Sequence, residues 1–204
     1  MRGFFQTRRR WIVAATAALA LAGLSACSDQ PAFVGIDITG ADYARDFDLT
    51  DHNGQRRTLA DFRGKVVVVF FGFTQCPDVC PTSMAEMAQA RALLGDQADR
   101  FQGLFISVDP ERDTPEIMRE YMASFDPTFL ALYTELDRLP ELARSFKVYY
   151  KKVEGPTPTS YTLDHSAGSY VFDTQGHIRL YHRYNSGAEA LASDVRRLLA
   201  EADR

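Results

Sequence analysis

The sequence predicts an α/β domain: a mixed β-sheet with helices on both faces, preceded by a β-hairpin. Three observations carry this expectation. Residues 65–73 form a continuous apolar run rich in Val and Phe, which suits a central strand covered on both faces. Residues 83–94 follow with apolar positions at Met84, Met87, Ala88, Ala90 and Leu94, the pattern of a helix packed on that strand. The remaining order (hairpin, β, α, β, α, α, β, β, α) calls for one sheet with parallel and antiparallel members.

The chain opens with a basic region. Arg2, Arg8, Arg9 and Arg10 stand among the first 26 residues, which contain no acid. The apolar stretch at 11–24 is 14 residues long. That is short of the ~20 residues a membrane-spanning helix needs and suits the apolar region of a signal peptide. Leu24-Ser25-Ala26-Cys27 resembles a bacterial lipobox, in which the cysteine is lipidated and becomes the mature N-terminus. The organisation expected is a signal peptide over 1–26, a lipidated Cys27 with a tether over 27–43, and one domain over 44–204. Thr7-Arg8-Arg9-Arg10-Trp11 approaches a twin-arginine signal, so both export routes stay open. Removing the signal takes four arginines and no acid, moving the formal charge from −4 to −8. That balance, with no basic stripe, argues against a nucleic-acid partner.

Within the domain, residues 47–50 and 55–59 flank Asn53-Gly54 and read as a hairpin. Asp61-Phe62-Arg63-Gly64 turns the chain into the central strand. Residues 101–108 read as a second apolar strand. Thr114 is placed to cap the next helix, with Pro115 at its first position. Residues 137–147 read as a shorter helix, and 148–158 as an irregular excursion. Residues 168–173 and 177–184 pair around Thr174-Gln175-Gly176. A closing amphipathic helix over 188–202 turns Leu191, Val195, Leu198 and Leu199 inward.

Cys76-Pro77-Asp78-Val79-Cys80-Pro81 sits where the central strand feeds the first helix. Unpaired N–H groups and the helix dipole stabilise a thiolate there, and this end of a strand is the usual seat of chemistry in an α/β sheet. Three residues between the cysteines put them at i and i+4, about one helical turn apart. A disulfide remains possible, but two prolines in so short a loop make a structural one the lesser reading. The spacing also lets both sulfurs face one ion. A structural zinc site normally takes four strong ligands, and once Cys27 is set aside the chain has no cysteine beyond these two. Two thiolates with one imidazole form a soft, low-coordinate set that suits copper. Of the four histidines, His52 is expected in a solvated turn, and His177 and His182 as surface or packing residues. His165 lies in the polar segment Tyr161-Thr162-Leu163-Asp164-His165-Ser166, and composition leaves open whether it is a ligand.

Cys76-x-x-x-Cys80-Pro81, Ser107-Val108-Asp109-Pro110-x-x-Asp113-Thr114-Pro115 and Asp164-His165-Ser166, in this order, resemble the SCO/SenC family of copper-binding assembly proteins. The resemblance runs from about residue 36 to the C-terminus. It implies a thioredoxin-like fold with an N-terminal hairpin, and one copper ion, Cu(I) or Cu(II), held by Cys76, Cys80 and His165. It also implies a role in cytochrome c oxidase biogenesis, with the copper-acceptor subunit as partner and a second copper chaperone as a conceivable donor. The place implied is the periplasmic face of the inner membrane, here through lipid on Cys27. A copper carrier is not an enzyme. The alternative is one: a thiol–disulfide oxidoreductase that uses Cys76 and Cys80 catalytically to reduce the cysteines of its client's apo copper site. Two further carboxylates are weighed against plain turn roles. Asp78 is a candidate for a transient ligand or a partner contact, and Asp164 a candidate to orient the His165 ring. The charged run at 109–113 is expected to be mostly solvated.

Overall fold

The computed structural model describes residues 32–157 and 160–204, so the signal segment, Cys27 and the tether through residue 31 lie outside the described residues. Ten strands and four α-helices follow in order: β1 Ile36–Asp37, β2 Leu49–Asp51, β3 Arg56–Arg57, β4 Val66–Gly72, α1 Val79–Leu93, β5 Phe101–Ser107, α2 Pro115–Ala123, β6 Leu130–Tyr133, α3 Leu139–Ser145, β7 Tyr150–Val153, β8 Thr162–His165, β9 Ser169–Phe172, β10 Ile178–His182 and α4 Ala188–Ala202. Eight strands form one sheet in the order β1-β10-β9-β4-β5-β6-β2-β3, while β7 and β8 pair separately.

β4 and β5 are parallel from Val66↔Phe101 to Gly72↔Ser107, and every residue of both is buried. Each fully buried Val, Leu or Phe contributes roughly 1.5–3 kcal/mol. Alternation sends Phe70 and Gly72 to one face and Phe71 to the other. A side chain at Gly72 would meet Cys80 of α1, so α1 covers the first face, and α4 packs beside it. Phe146, just after α3, covers the second, with ring centroids 5.1 Å from Phe71 and 6.5 Å from Phe172. The β4–α1–β5 crossover followed by the antiparallel β9–β10 pair and α4 is the thioredoxin-like arrangement that the resemblance implied.

Several expectations shift. α1 begins at Val79, four residues before the expected start, and includes Cys80 and Pro81. Proline is tolerated in a first turn because its missing N–H would have had no partner there. β6 was not expected. Its four residues are too few to show a period, and parallel pairing with β5 makes it a strand. The excursion after α3 contains β7, which pairs with β8, so His165 ends a strand instead of lying in a loop. His52 is buried, not solvated: β2 pairs with β6, and His52 Nδ1 accepts a hydrogen bond from Ala131 N at 3.1 Å. Burial lowers its pKa, as expected for an imidazole removed from water. His182 is buried, and His177 is largely exposed.

The compact unit runs Phe33–Arg204, so its N-terminal limit lies upstream of residue 44. β1 extends the sheet beside β10. Just before it, Val34 N and Gly35 N donate to the buried Asp194 carboxylate at 2.9 and 2.7 Å, and His182 Nε2 lies 2.9 Å from the same group. Burial alone would raise the Asp194 pKa. The bonds from His182, Gly35 and Val34 outweigh it and hold the carboxyl below its ordinary value. A depressed carboxyl stabilises the fold above its unfolded pKa of ~3.9, and that stability is lost as pH falls through the folded value. Asp194→Ala should therefore cost about 3 kcal/mol at neutral pH. In urea titrations its stability should fall less steeply below pH ~4 than that of the wild type; equal acid dependence would contradict the assignment.

Candidate metal centre

The site forms where β4 ends. The chain leaves Gly72 through Phe73 and Thr74, turns at Cys76, whose N–H donates to Phe73 O at 3.2 Å, and enters α1. The turn is anchored from across the sheet. Thr74 Oγ1 donates to Asp113 Oδ1 at 2.6 Å, Thr74 N donates to the same carboxylate, and Ser107 Oγ donates to Asp113 Oδ2 at 2.6 Å. Asp113 is buried, and burial, aided by nearby Asp109, raises its pKa despite these bonds.

Cys80 lies in the first turn of α1 and is fully buried, whereas Cys76 is half-buried; both are free thiols. Gly72 makes this possible. A Cβ there would stand 2.8 Å from Cys80 Sγ and from the Phe70 ring, and 2.9 Å from Phe105. Cys80 N, one of the unpaired donors at the helix start, approaches Cys76 Sγ at 3.4 Å. The Cys80 thiol above all, with the N–H groups of Asp78 and Cys80, outweighs partial burial and brings the Cys76 pKa down to about 3. The Cys80 pKa moves far upward. It donates to Cys76, it is buried, and the charges of Cys76 and Asp113 oppose a second anion. The pair therefore holds one thiolate and one thiol, as expected of two coupled acids.

His165 arrives from β8. Its ring packs edge-on against Phe70 and Phe73, with centroids at 5.9 and 5.8 Å. Nδ1 lies 2.9 Å from Ser166 O. A carbonyl can only accept, so in the neutral ring Nδ1 carries the hydrogen and Nε2 presents its lone pair. Nε2 lies 3.4 Å from Cys80 Sγ. The single Cys80 proton thus has two acceptors, Cys76 and His165. The two sulfurs and a ring nitrogen of His165 all lie within 4.8 Å of one another. A soft ion that replaced the Cys80 proton would meet three donors, a set that fits copper better than zinc or a hard cation.

Asp164 does not orient the ring. Alternation along β8 places Asp164 on the exposed face while Leu163 is buried, and Ser166 O takes the Nδ1 hydrogen instead. Asp78 is exposed at the cap position of α1, and its side chain makes no capping bond; its backbone N–H faces Cys76. The run at 109–113 is solvated at Glu111 but not at its two aspartates. Asp109 is buried, accepts from Tyr161 Oη at 2.7 Å and from Arg112 Nε at 2.5 Å, and Asp113 holds the cysteine turn. These residues and Ser166 were missed as parts of the site. The one sequence signal for them was the density of Ser and Asp immediately after a strand whose neighbour carries the thiols.

Residues 37–200 match the SCO1/SenC family. The mitochondrial SCO2 homolog of Bos taurus is 38% identical over 157 residues, covering 76% of this chain and 59% of its own length. This chain thus spans less than two thirds of that relative. The structure of Bradyrhizobium japonicum ScoI with copper bound is similar at 40% identity and a TM-score of 0.69, covering 75% of this chain and 97% of that one. Apo Sco1 from Thermus thermophilus is similar at 35% identity and a TM-score of 0.72, covering 82% and 97%. With most of its length matched by the family and the family's fold reproduced, the chain belongs to the SCO1/SenC family.

Proposed function

We propose that this protein is a copper carrier for cytochrome c oxidase assembly, holding one ion on Cys76, Cys80 and His165 and delivering it to the oxidase's copper-acceptor subunit. The observation that carries this reading is the meeting of two sulfurs and one imidazole nitrogen within 4.8 Å, from segments far apart in sequence. The copper-bound Bradyrhizobium relative supports the choice of ion. Two thiolates and an imidazole suit Cu(I), and Cu(II) can take the same donors with a further weak ligand such as water. Delivery proceeds by ligand exchange. Cys76 is the more exposed sulfur, so an incoming ligand from the acceptor reaches the ion from that side while Cys80 stays buried. The reading places the protein on the periplasmic face of the inner membrane, anchored by lipid on Cys27. Exposed Asp78 is a contact for the partner. No helix among the described residues is long and apolar enough to cross a membrane.

A second reading, reduction of the client's cysteines, is favoured by one feature: the asymmetry of the thiols. A half-buried thiolate beside a buried thiol is an attacking group with a resolving partner. Cys76 would attack a client disulfide, and Cys80 would then release the reduced client from the mixed disulfide, leaving a Cys76–Cys80 disulfide. The two roles are compatible, because copper loading needs reduced thiols on both proteins.

His165 separates them, since an imidazole contributes a metal bond and is not consumed in disulfide exchange. His165→Ala should lower Cu(I) affinity by more than the about 10–100-fold that loss of a supporting residue costs, while cycling between dithiol and disulfide persists. Cys76→Ala or Cys80→Ala should abolish both. Competition with a Cu(I) chelator and a disulfide-reduction assay measure the two; unchanged Cu(I) affinity in His165→Ala would remove the carrier reading. The thiol asymmetry has its own test. At about pH 5, where ordinary thiols are inert, iodoacetamide should modify Cys76 and spare Cys80. Peptide mapping that found Cys80 labelled first would contradict it.

A further inference from the structure

The hairpin that brings His165 to the sulfurs shares no backbone ladder with the eight-stranded sheet among the described residues. Side chains must hold it in place, and a cluster at the start of β8 does so. Arg112 Nη1 donates to Tyr161 O at 2.8 Å, and its guanidinium lies over the Tyr161 ring, 3.6 Å from the centroid. Its Nε donates to Asp109 Oδ2 at 2.5 Å, and Tyr161 Oη donates to Asp109 Oδ1 at 2.7 Å. The same guanidinium reaches the Phe73 ring at 5.8 Å, and Phe73 packs on His165. One cation thus ties the backbone entering β8 to the loop after β5, and that loop's Asp113 holds the turn of Cys76.

We propose that Arg112 is a positioning residue for the metal centre, setting with Asp109 and Tyr161 the reach and register of His165 toward Cys76 and Cys80. The inference rests on the carrier reading above. Its physical basis is the stiffness of a strand. Tyr161, Leu163 and His165 share one face, at a rise of ~3.4 Å per residue, so fixing Tyr161 fixes His165 about 14 Å further on. A slip of one residue would turn His165 to the outer face, where Asp164 now stands. Lysine cannot replace Arg112, because a point charge cannot bond Asp109 and the Tyr161 carbonyl through a rigid fork while stacking on the ring.

A double-mutant cycle on the full chain tests this, read as Cu(I) affinity by chelator competition. Arg112→Ala should lower affinity about 10–100-fold in the wild type, and Arg112→Lys should not restore it. In the His165→Ala background the same change should cost no more than about twofold, because the ligand it positions is gone. The sulfur-to-copper charge-transfer spectrum of the Cu(II) form should shift in Arg112→Ala toward that of His165→Ala. Tyr161→Phe removes a single hydroxyl and keeps the ring stack, so it remains usable if Arg112→Ala fails to fold. It should show a smaller loss that likewise disappears without His165. Equal losses from these variants with and without His165 would overturn the proposal and leave the carrier reading standing. Equal affinity of wild type and His165→Ala would overturn both.

Discussion

The centre depends on a close approach that a single glycine permits. Cys80 Sγ rests against the end of β4 because Gly72 has no Cβ, which would come within 2.8 Å of that sulfur. With any larger residue, the first turn of α1 would have to lift from the sheet or the Phe70 and Phe105 rings would have to repack, at a cost of about 1–3 kcal/mol. That contact sets the depth of the buried sulfur. Cys76, Asp113 and the His165 hairpin are arranged around it, each tied to the same end of the buried β4–β5 pair.

The charge state of the centre suits the exchange of one ion for another. The metal-free pair carries one negative charge, on Cys76, and one proton, on Cys80. Binding Cu(I) with loss of the Cys80 proton replaces one positive charge by another, so the charge of a largely buried site does not change. Desolvation, which would oppose adding a charge there, is avoided. The same arrangement makes Cys76 nucleophilic without exposing Cys80. Under the proposed function, carrier and disulfide-exchange chemistry would share one pair of thiols, and the imidazole would distinguish them.

Much of this was legible from residue types and order. The apolar run of β4, the thiols following it, and Thr114-Pro115 opening α2 are local signals, and the helix cap appears as read, with Thr114 Oγ1 accepting from Ile117 N at 3.4 Å. What escaped reading is set by pairing between distant segments. β6 is a strand because β5 lies beside it, and His52 is buried because β2 joins β6. Lys151 and Lys152 lie in a strand because β8 pairs with them. Asp109, Arg112 and Asp113 looked like a solvated charge run because their partners, Tyr161 and Thr74, are 52, 49 and 39 residues away. Asp164 was the candidate to orient the histidine, yet strand alternation decides against its side chain, and the Ser166 carbonyl takes that place.

The central claim is that one ion is held by two sulfurs and one imidazole. Copper K-edge X-ray absorption on the Cu(I)-loaded protein tests it most directly. One copper per chain is expected, with a first shell of two sulfur scatterers and one nitrogen at about 2.0–2.3 Å, the range of thiolate and imidazole bonds to a metal of similar size. The outer-shell scattering of a single imidazole should accompany it and vanish in His165→Ala. A shell of sulfur alone, or one unaltered by removing His165, would contradict it.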